Sequence, residues 1–215
     1  MRREGMSSTP VRPSTFISLQ ALFITVTILL SISIVLTLAL TTFDFYNPGL
    51  VYLDNPTEAE EIVLLTIGAV GILNAIISLA GGIFFLWWFY RAYKNLKTLG
   101  ILLKSTPRMV IVNFFIPIIS FWKPYFAAME IWKNSDPSTL LATKQEGHYS
   151  QSSVIVKLWW IATLIAIFLI LFESVGFVIT YSLGNMVSII AAVLQIFMIK
   201  EISLRQETIS KMAYR

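Results

Sequence analysis

The chain has 215 residues, of which 56% are hydrophobic and only 13% are charged, and its formal net charge is +4. Soluble domains usually carry about 25% charged residues, so this composition excludes an ordinary soluble protein and favours a membrane protein. The sequence contains no cysteine, which excludes disulfide bonds and metal sites built on thiolates.

Two long stretches without charge indicate which kind of membrane protein this is. Residues 16–43 and 62–90 contain no Asp, Glu, Lys or Arg, and both are longer than the roughly 20 apolar residues that one transmembrane helix needs. A transmembrane barrel would instead show short segments of alternating hydrophobicity. The sequence therefore predicts an all-α membrane protein.

The predicted elements form a single membrane domain over residues 16–199, which lies between a polar N-terminal tail (1–15) and a charged C-terminal tail (200–215). Both tails are expected to be cytoplasmic. Four helices are predicted to span the membrane, and they cover about residues 16–42, 58–90, 154–179 and 186–206.

Local signals predict how these helices begin and how they are connected. Thr57 and Glu60 have the spacing of a capping box at the start of the second helix. The sequence YSLGN at 181–185 predicts a turn between the last two helices. A polar linker at 134–153 precedes the third.

The stretch 109–122 is as apolar as the predicted spans, but it is too short to be one. A helix of its length covers about 21 Å at 1.5 Å per residue, whereas the hydrocarbon core is roughly 30 Å thick. Pro117 would also kink a helix at this point. The sequence predicts a proline-broken segment between the second and third spans, which either re-enters from one side or lies at the interface.

An amphipathic helix is predicted over 124–135, directly after the broken segment. Pro124 suits the first turn of a helix. Tyr125, Ala128, Met129 and Trp132 follow the i, i+3, i+4, i+7 spacing of one apolar face. Such a helix is expected to lie in the interface plane.

The positions of Lys and Arg predict the orientation, because these residues stay on the cytoplasmic side. If 109–122 does not cross, four helices span the membrane, both termini are cytoplasmic and all 16 Lys and Arg lie on that side. If the segment does cross, half of them, from Lys123 onwards, move outside. The rule favours four spans, and hence a multi-pass protein of the cell membrane.

The most distinctive pattern is WWFYRAYKNLKTLG (87–100) followed by FFIPIISFWKPYFAAMEIWKNSDP (114–137), and it resembles a family of bacterial membrane proteins, domain of unknown function 4328. The resemblance implies an integral membrane protein and no particular activity, since none is established for the family. The matching residues that we take as candidate functional positions are Trp88, Arg91, Asn95, Pro117, Trp122, Lys123, Pro124, Tyr125, Glu130 and Trp132.

Small residues recur at alternating spacings of three and four along the second predicted helix. Stripes of this kind let helix backbones approach closely in lipid. We interpret this stripe as a surface for packing within the bundle, with an interface between copies of the chain as the alternative. It consists of Gly68, Gly71, Ala75, Ser78 and Gly82.

Glu173 is the only acidic residue within the apolar part of a predicted span. An ionisable group within the membrane is a functional candidate by default. The alternative is that its carboxylate reaches the outer headgroups or bonds a neighbouring helix.

Five basic residues follow the second predicted helix with no acid among them. Such clusters attract anionic lipid, at about 1 kcal/mol per charge near the surface, and they also set the topology. A nucleic-acid partner is not expected, because the charges lie among apolar residues beside a membrane. The cluster consists of Arg91, Lys94, Lys97, Lys104 and Arg108.

The sequence contains no glycine-rich phosphate loop and no nucleophile motif in a suitable setting, so we expect no enzyme and no cofactor. We expect a non-catalytic protein that organises lipid, a partner protein or a second copy of the chain at the cytoplasmic face. The alternative is a small-solute or ion transporter or channel. It would use the broken segment as a pore element, with Glu173, Asn113 or Lys123 as polar points.

Overall fold

The structure is a computed structural model that describes residues 16–47, 49–50, 53–137, 153–173 and 178–213. These residues form helices and short connections, and no strand occurs among them. The predicted N-terminal tail, most of the 134–153 linker and the side chain of Glu173 lie outside the described part of the chain.

Four of the helices are long and apolar enough to cross a membrane: α1, α2, α5 and α6. This confirms the prediction of an all-α membrane protein with four candidate spans and a broken segment between the second and the third. In chain order the described helices are α1 (Gln20–Tyr46), α2 (Glu58–Thr98), α3 (Pro107–Val112), α4 (Lys123–Asn134), α5 (Val154–Glu173) and α6 (Val178–Ala213), with a short 3-10 helix (Ile119–Phe121) before α4.

The long helices form a row in which α1 packs between α2 and α6, and α6 packs along α5. We call the end at which α2 and α6 end and α5 begins the base of the bundle. The helices α3 and α4 lie at this base, where α4 contacts both α2 and α5. The broken segment therefore closes the base between the two outer helices.

Local chemistry explains why the broken segment does not form one continuous helix. Thr106 caps α3 by accepting a hydrogen bond from the Met109 amide at 3.3 Å, and Pro107 occupies the first turn. Pro117 has no amide hydrogen to donate. The chain turns there, and the Ser120 hydroxyl donates to the Pro117 carbonyl at 2.7 Å.

The predicted amphipathic helix is found as α4, with a slightly different buried face. Ala128 and Trp132 are buried as expected, whereas Tyr125 and Met129 are only partly buried. Ala127 and Ile131 take their place in the core. The face is rotated because α4 packs against α2 and α5 together rather than against one flat surface.

An aromatic cluster forms the core just above the base. Phe114 of the broken segment lies edge-on to Phe89 of α2 at 5.3 Å between ring centroids. Phe85 of α2 lies 5.9 Å from Trp159 of α5. The broken segment is thus held between the outer helices by ring packing.

Away from the base the apolar surface faces outward. Leu65 and Leu79 of α2 are 69% and 68% exposed. A few polar contacts join the helices there: Asn74 accepts from the Ser33 hydroxyl at 2.9 Å and donates to Thr37 at 3.0 Å, and Asn185 donates to Thr41 at 3.0 Å. Side-chain hydrogen bonds of this kind hold helices together where lipid removes the hydrophobic driving force.

The predicted end of the second helix near residue 90 is wrong, because α2 continues for about two more turns to Thr98. The additional turns bury Ala92, Tyr93 and Leu96 in the core, which stabilises a stretch that looks polar in the sequence. The helix ends where Gly100 adopts φ +79°, a conformation that favours glycine. The predicted capping box of Thr57 and Glu60 at the other end is confirmed.

The predicted turn at 181–185 is also wrong, because these residues belong to α6. The third helix ends at Glu173 rather than near 179, and α6 extends from Val178 to Ala213 rather than over 186–206. Gly184 is not a turn residue. A Cβ atom at this position would lie 3.4 Å from Leu169 Cβ and 3.6 Å from Ile170 Cγ1, so the glycine permits close packing of α5 on α6.

The predicted packing stripe of α2 contacts α1 only in part: Ser78 forms a hydrogen bond with Ser33 of α1 at 2.8 Å, whereas the glycines of the stripe have open space around them. A Cβ added at Gly68, Gly71 or Gly82 would meet no atom within 4 Å. The close approach occurs one position away, at Gly81, where a Cβ would lie 3.7 Å from Leu29 Cβ. Small residues on two neighbouring faces of a helix give a similar pattern in the sequence. The pattern alone therefore did not show that Gly81, rather than Gly82, faces α1. Its role between copies of the chain stays a prediction.

Replacing Gly184 by Leu should lower the free energy of unfolding by about 1–3 kcal/mol, because the new side chain overpacks the α5–α6 contact. Gly68→Leu is the matched control, since its surroundings are open, and it should change stability little. Unfolding in detergent micelles, followed by tryptophan fluorescence, measures both. Equal losses in the two variants would contradict this account of Gly184.

Candidate functional site

Two buried amide side chains join the segments that meet at the base. Asn95 of α2 donates to the side-chain oxygen of Gln206 of α6 at 3.3 Å. Asn95 also donates to the Ile17 carbonyl at 2.9 Å and accepts from the Ile17 amide at 3.3 Å. These two hydrogen bonds to the Ile17 backbone fix the chain that leads into α1 against α2.

Gln206 connects this pair to the end of the broken segment. Its amide nitrogen donates to the Ala92 carbonyl at 3.1 Å and to the Ser135 hydroxyl just after α4 at 3.0 Å. Gln206 and Ser135 are both 0% exposed. Every polar atom in such a place needs a partner, because an unpaired one costs about 1–3 kcal/mol.

Further contacts strengthen the same junction. The indole nitrogen of Trp88 donates to the Ser203 hydroxyl at 3.0 Å. Arg205 lies over the Trp132 ring at 4.3 Å from its centroid and pairs with Glu201 at 2.9 Å. A guanidinium on an indole face is attracted by the ring quadrupole, so α6 and α4 are joined by a buried cation as well.

Glu130 of α4 holds the loop between α2 and α3. Its carboxylate accepts from the Tyr93 hydroxyl at 2.7 Å and from the Lys104 amide at 2.8 Å. The Tyr93 oxygen in turn accepts from the Ser105 amide at 3.1 Å. One carboxylate therefore bonds this loop to α4 directly and, through the Tyr93 hydroxyl, to α2.

The structure brings some of the sequence-predicted positions together and leaves others apart. Trp88, Asn95 and Trp132 belong to the buried junction, and Glu130 lies partly buried beside it. Of the others, Arg91 lies 5.6 Å from the Trp87 ring centroid, Pro124 is buried at the start of α4, Tyr125 is half-buried, and Pro117, Trp122 and Lys123 are exposed.

Sequence reasoning missed Tyr93, Ser203, Arg205 and Gln206. The last three lie in what was taken for a charged tail. A signal was nevertheless present: Ile199, Ile202, Gln206 and Ile209 follow helical spacing, and all four are at most 1% exposed. A polar residue in an otherwise apolar helical stripe marks a buried hydrogen-bonding position.

The predicted basic cluster lies on the outside of the base. Lys94, Lys97, Lys104 and Arg108 are exposed, and Arg91 is partly so. None of the five forms an ion pair within the residues that the structure describes. Their charge is therefore available to anionic groups outside the chain.

A partly open cavity of about 400 Å³ lies directly above the broken segment. Phe114 and Phe121 form its floor, and Gly82 of α2 and Thr163 of α5 form its sides. Gln195 of α6 supplies a polar group from the back. The volume falls within the range of small-molecule sites, roughly 300–1,000 Å³.

Over the described ranges no group of three His, Asp or Glu side chains is arranged to hold a metal ion. Asn74 and Asn185, two polar side chains within the apolar part of the bundle, already have partners on α1. What the geometry offers is a rigid junction, a basic outer surface and a cavity.

A comparison with protein families identifies the pattern. A family model described as Domain of unknown function (DUF4328) matches residues 55–203, more than half of the chain. The match begins just before α2 and includes the broken segment, whereas α1 and the end of α6 lie outside it. No curated protein and no solved structure matches the chain.

Replacing Asn95 by Ala should lower the free energy of unfolding by about 2 kcal/mol, because the buried Gln206 side chain loses a partner and the Ile17 amide and carbonyl lose theirs. Asn55→Ala is the control, since Asn55 is exposed, and it should be nearly neutral. Denaturation in detergent, followed by tryptophan fluorescence, measures both. Because Asn95 and Gln206 share one network, the double variant should lose less than the sum of the two single losses, and additive losses would contradict their coupling.

Proposed function

The chain belongs to the family described as Domain of unknown function (DUF4328), and we propose that it is a non-catalytic membrane protein that organises lipid or a partner protein at the cytoplasmic face of the cell membrane. The observation that carries this proposal is the buried polar junction of Asn95, Gln206 and Ser135. It holds α4 and the ends of α2 and α6 in one fixed arrangement. A preformed surface binds more tightly than a loose one, because less conformational entropy is lost on binding.

The outer surface of the base supports this role by its charge. The basic cluster of Arg91, Lys94, Lys97, Lys104 and Arg108 is joined there by Lys123 and Lys133 of α4, which are also exposed. Each such charge near an anionic membrane surface contributes about 1 kcal/mol. The base is therefore suited to anionic headgroups or to an acidic partner protein.

The distribution of charge also supports a cytoplasmic base. All Lys and Arg in the described residues lie at or near the base, whereas Asp44, Asp54, Glu58, Glu60 and Glu61 lie at the opposite end. Basic residues stay on the cytoplasmic side of the membrane. We therefore propose that both termini lie inside the cell.

The orientation predicts which positions react from outside. Single cysteines at Ser150→Cys, before α5, and at Ser174→Cys, between α5 and α6, have no background because the chain contains no cysteine. In intact cells a membrane-impermeant maleimide should label position 174 and leave position 150 unlabelled. Permeabilised cells, in which both should react, are the control. Labelling of position 150 from outside would reverse the orientation.

The lipid role predicts an effect of charge rather than of side-chain shape. Lys94→Gln, Lys97→Gln and Lys104→Gln together should lower the apparent affinity for dansyl-labelled phosphatidylglycerol by at least about tenfold, since each charge contributes about 1 kcal/mol. Energy transfer from tryptophan to dansyl in proteoliposomes measures this affinity. The same three positions changed to Arg are the control and should retain it. Equal affinity in the two triple variants, or insensitivity to salt, would contradict the role.

The rival function is transport of a small solute or ion, and the cavity beside the broken segment is the observation that favours it. Glu173, Asn113 and Lys123 would be its polar points. Asn113 is buried and Lys123 is exposed at the base, and the side chain of Glu173 lies outside the described part of the chain. A pH-dependent flux through the same proteoliposomes that disappears in Glu173→Gln would favour the rival and overturn the first proposal.

A further inference from the structure

The cavity above the broken segment lies on the side of the bundle that no described helix covers. The helices α1 and α6 pack together behind it, whereas α2 and α5 lie on either side and meet through the Phe85 and Trp159 rings. At the height of the cavity α2 contributes Gly82, which has no side chain. A Cβ atom added to Gly82 would meet no other atom within 4 Å. The opening thus faces the region that lipid occupies around candidate membrane spans.

The lining changes in character along the bundle. Towards the middle it is apolar, with Leu30, Leu164 and Ile167. The hydroxyls of Ser78 and Thr163 are already hydrogen-bonded, to Ser33 and to the Trp159 carbonyl. The cavity therefore offers this part of a ligand almost only dispersion contacts, as a hydrocarbon chain requires.

Gln195 lines the end of the cavity nearest the base, and unlike the residues above it, it carries a polar side chain that is not hydrogen-bonded within the described residues. It lies 11 residues after Gly184, which contacts Ile170, so antiparallel packing places it level with Trp159. It lies about 8 Å above Lys200 by helical rise. The side chain is partly exposed to the cavity, and its amide forms no hydrogen bond within the described residues. A carboxamide at this depth in hydrocarbon is costly unless a ligand or water bonds it.

Two cations lie just below this level. The Trp160 indole nitrogen donates to the Phe121 carbonyl at 2.9 Å, and both residues line the cavity. Lys157 lies one turn before Trp160 on the same face of α5, and Lys123 lies two residues after Phe121. Both lysines are exposed. Their ammonium groups can therefore meet a phosphate at the membrane surface.

From this order of groups we propose that the cavity binds one anionic phospholipid. The phosphate meets Lys123 and Lys157, an ester carbonyl accepts a hydrogen bond from Gln195, and one acyl chain lies along Gly82 towards Ile167. This inference rests on the proposed lipid role of the base and makes it specific, because it assigns a single bound molecule to a defined site. It differs from the general attraction exerted by the basic cluster.

The test counts bound lipid on the full-length protein. The protein is reconstituted in vesicles of equal parts phosphatidylglycerol and phosphatidylcholine, extracted again in mild detergent and examined by native mass spectrometry. We expect one retained phosphatidylglycerol per chain. Gly82→Leu fills the open space without a clash and should lower the retained fraction about tenfold, as expected when several buried methylene contacts are lost. Gly68→Leu, on the same helix but away from the cavity, should retain the lipid.

Two further variants test the polar contacts. Gln195→Leu should lower the retained fraction without changing which headgroup is preferred. Lys123→Gln with Lys157→Gln should still retain a lipid but lose the preference for phosphatidylglycerol over phosphatidylcholine. A monodisperse elution profile and an unchanged thermal midpoint show that each variant is folded.

The results separate this inference from the function on which it rests. Retention by Gly82→Leu equal to that of the original chain would overturn the site, and so would equal loss in Gly68→Leu or the absence of retained lipid altogether. The triple Gln variant of the basic cluster should keep the single lipid while it loses the salt-dependent attraction. If the single lipid is absent but that attraction persists, the site is wrong and the proposed function stands.

Discussion

The contact between the amides of Asn95 and Gln206 is the interaction on which the base of this protein depends. Each amide also bonds a third segment: Asn95 holds the chain before α1, and Gln206 holds the residue that follows α4. Segments that are far apart in the sequence therefore meet at two side chains. Because both are buried, removing any one partner leaves the others unpaired in a place of low dielectric. The network favours a single arrangement of the helix ends over alternatives that would satisfy fewer of its polar atoms.

The two halves of the bundle are stabilised in different ways as a result. Near the base, aromatic rings, the Arg205–Trp132 contact and the Glu130 carboxylate form a dense junction. Further away, α2 exposes most of its apolar side chains, and the contacts with α1 include a few hydrogen bonds and a close approach at Gly81. Packing and hydrogen bonding must hold helices together in lipid, because burial of apolar surface supplies little there. The specific contacts are therefore concentrated at one end of the molecule, where they fix the helix ends relative to one another.

The position of the cavity is also explained by the difference between the base and the rest of the bundle. The broken segment is held at the base between α2 and α5, and just above it these two helices meet through the Phe85 and Trp159 rings. The space that remains is apolar above and polar below, and it is flanked by cations at the level of the base. A bound phospholipid would complete the packing between the outer helices. The base, its basic surface and the cavity would then be parts of one lipid-facing structure rather than three separate features.

The sequence by itself determined the class of protein, the number of long apolar helices, the proline break and the capping box at Thr57 and Glu60, because these follow from composition, length and local spacing. It predicted Trp88, Asn95, Glu130 and Trp132 as candidate positions without showing what they contact. It misplaced the end of α2 and the connection between α5 and α6, since a polar stretch or a glycine looks the same in the sequence whether it is exposed or packed. Only the tertiary structure decided which polar residues are buried together. Asn95 and Gln206 are 111 positions apart, and the burial of each depends on a partner that no local pattern can specify.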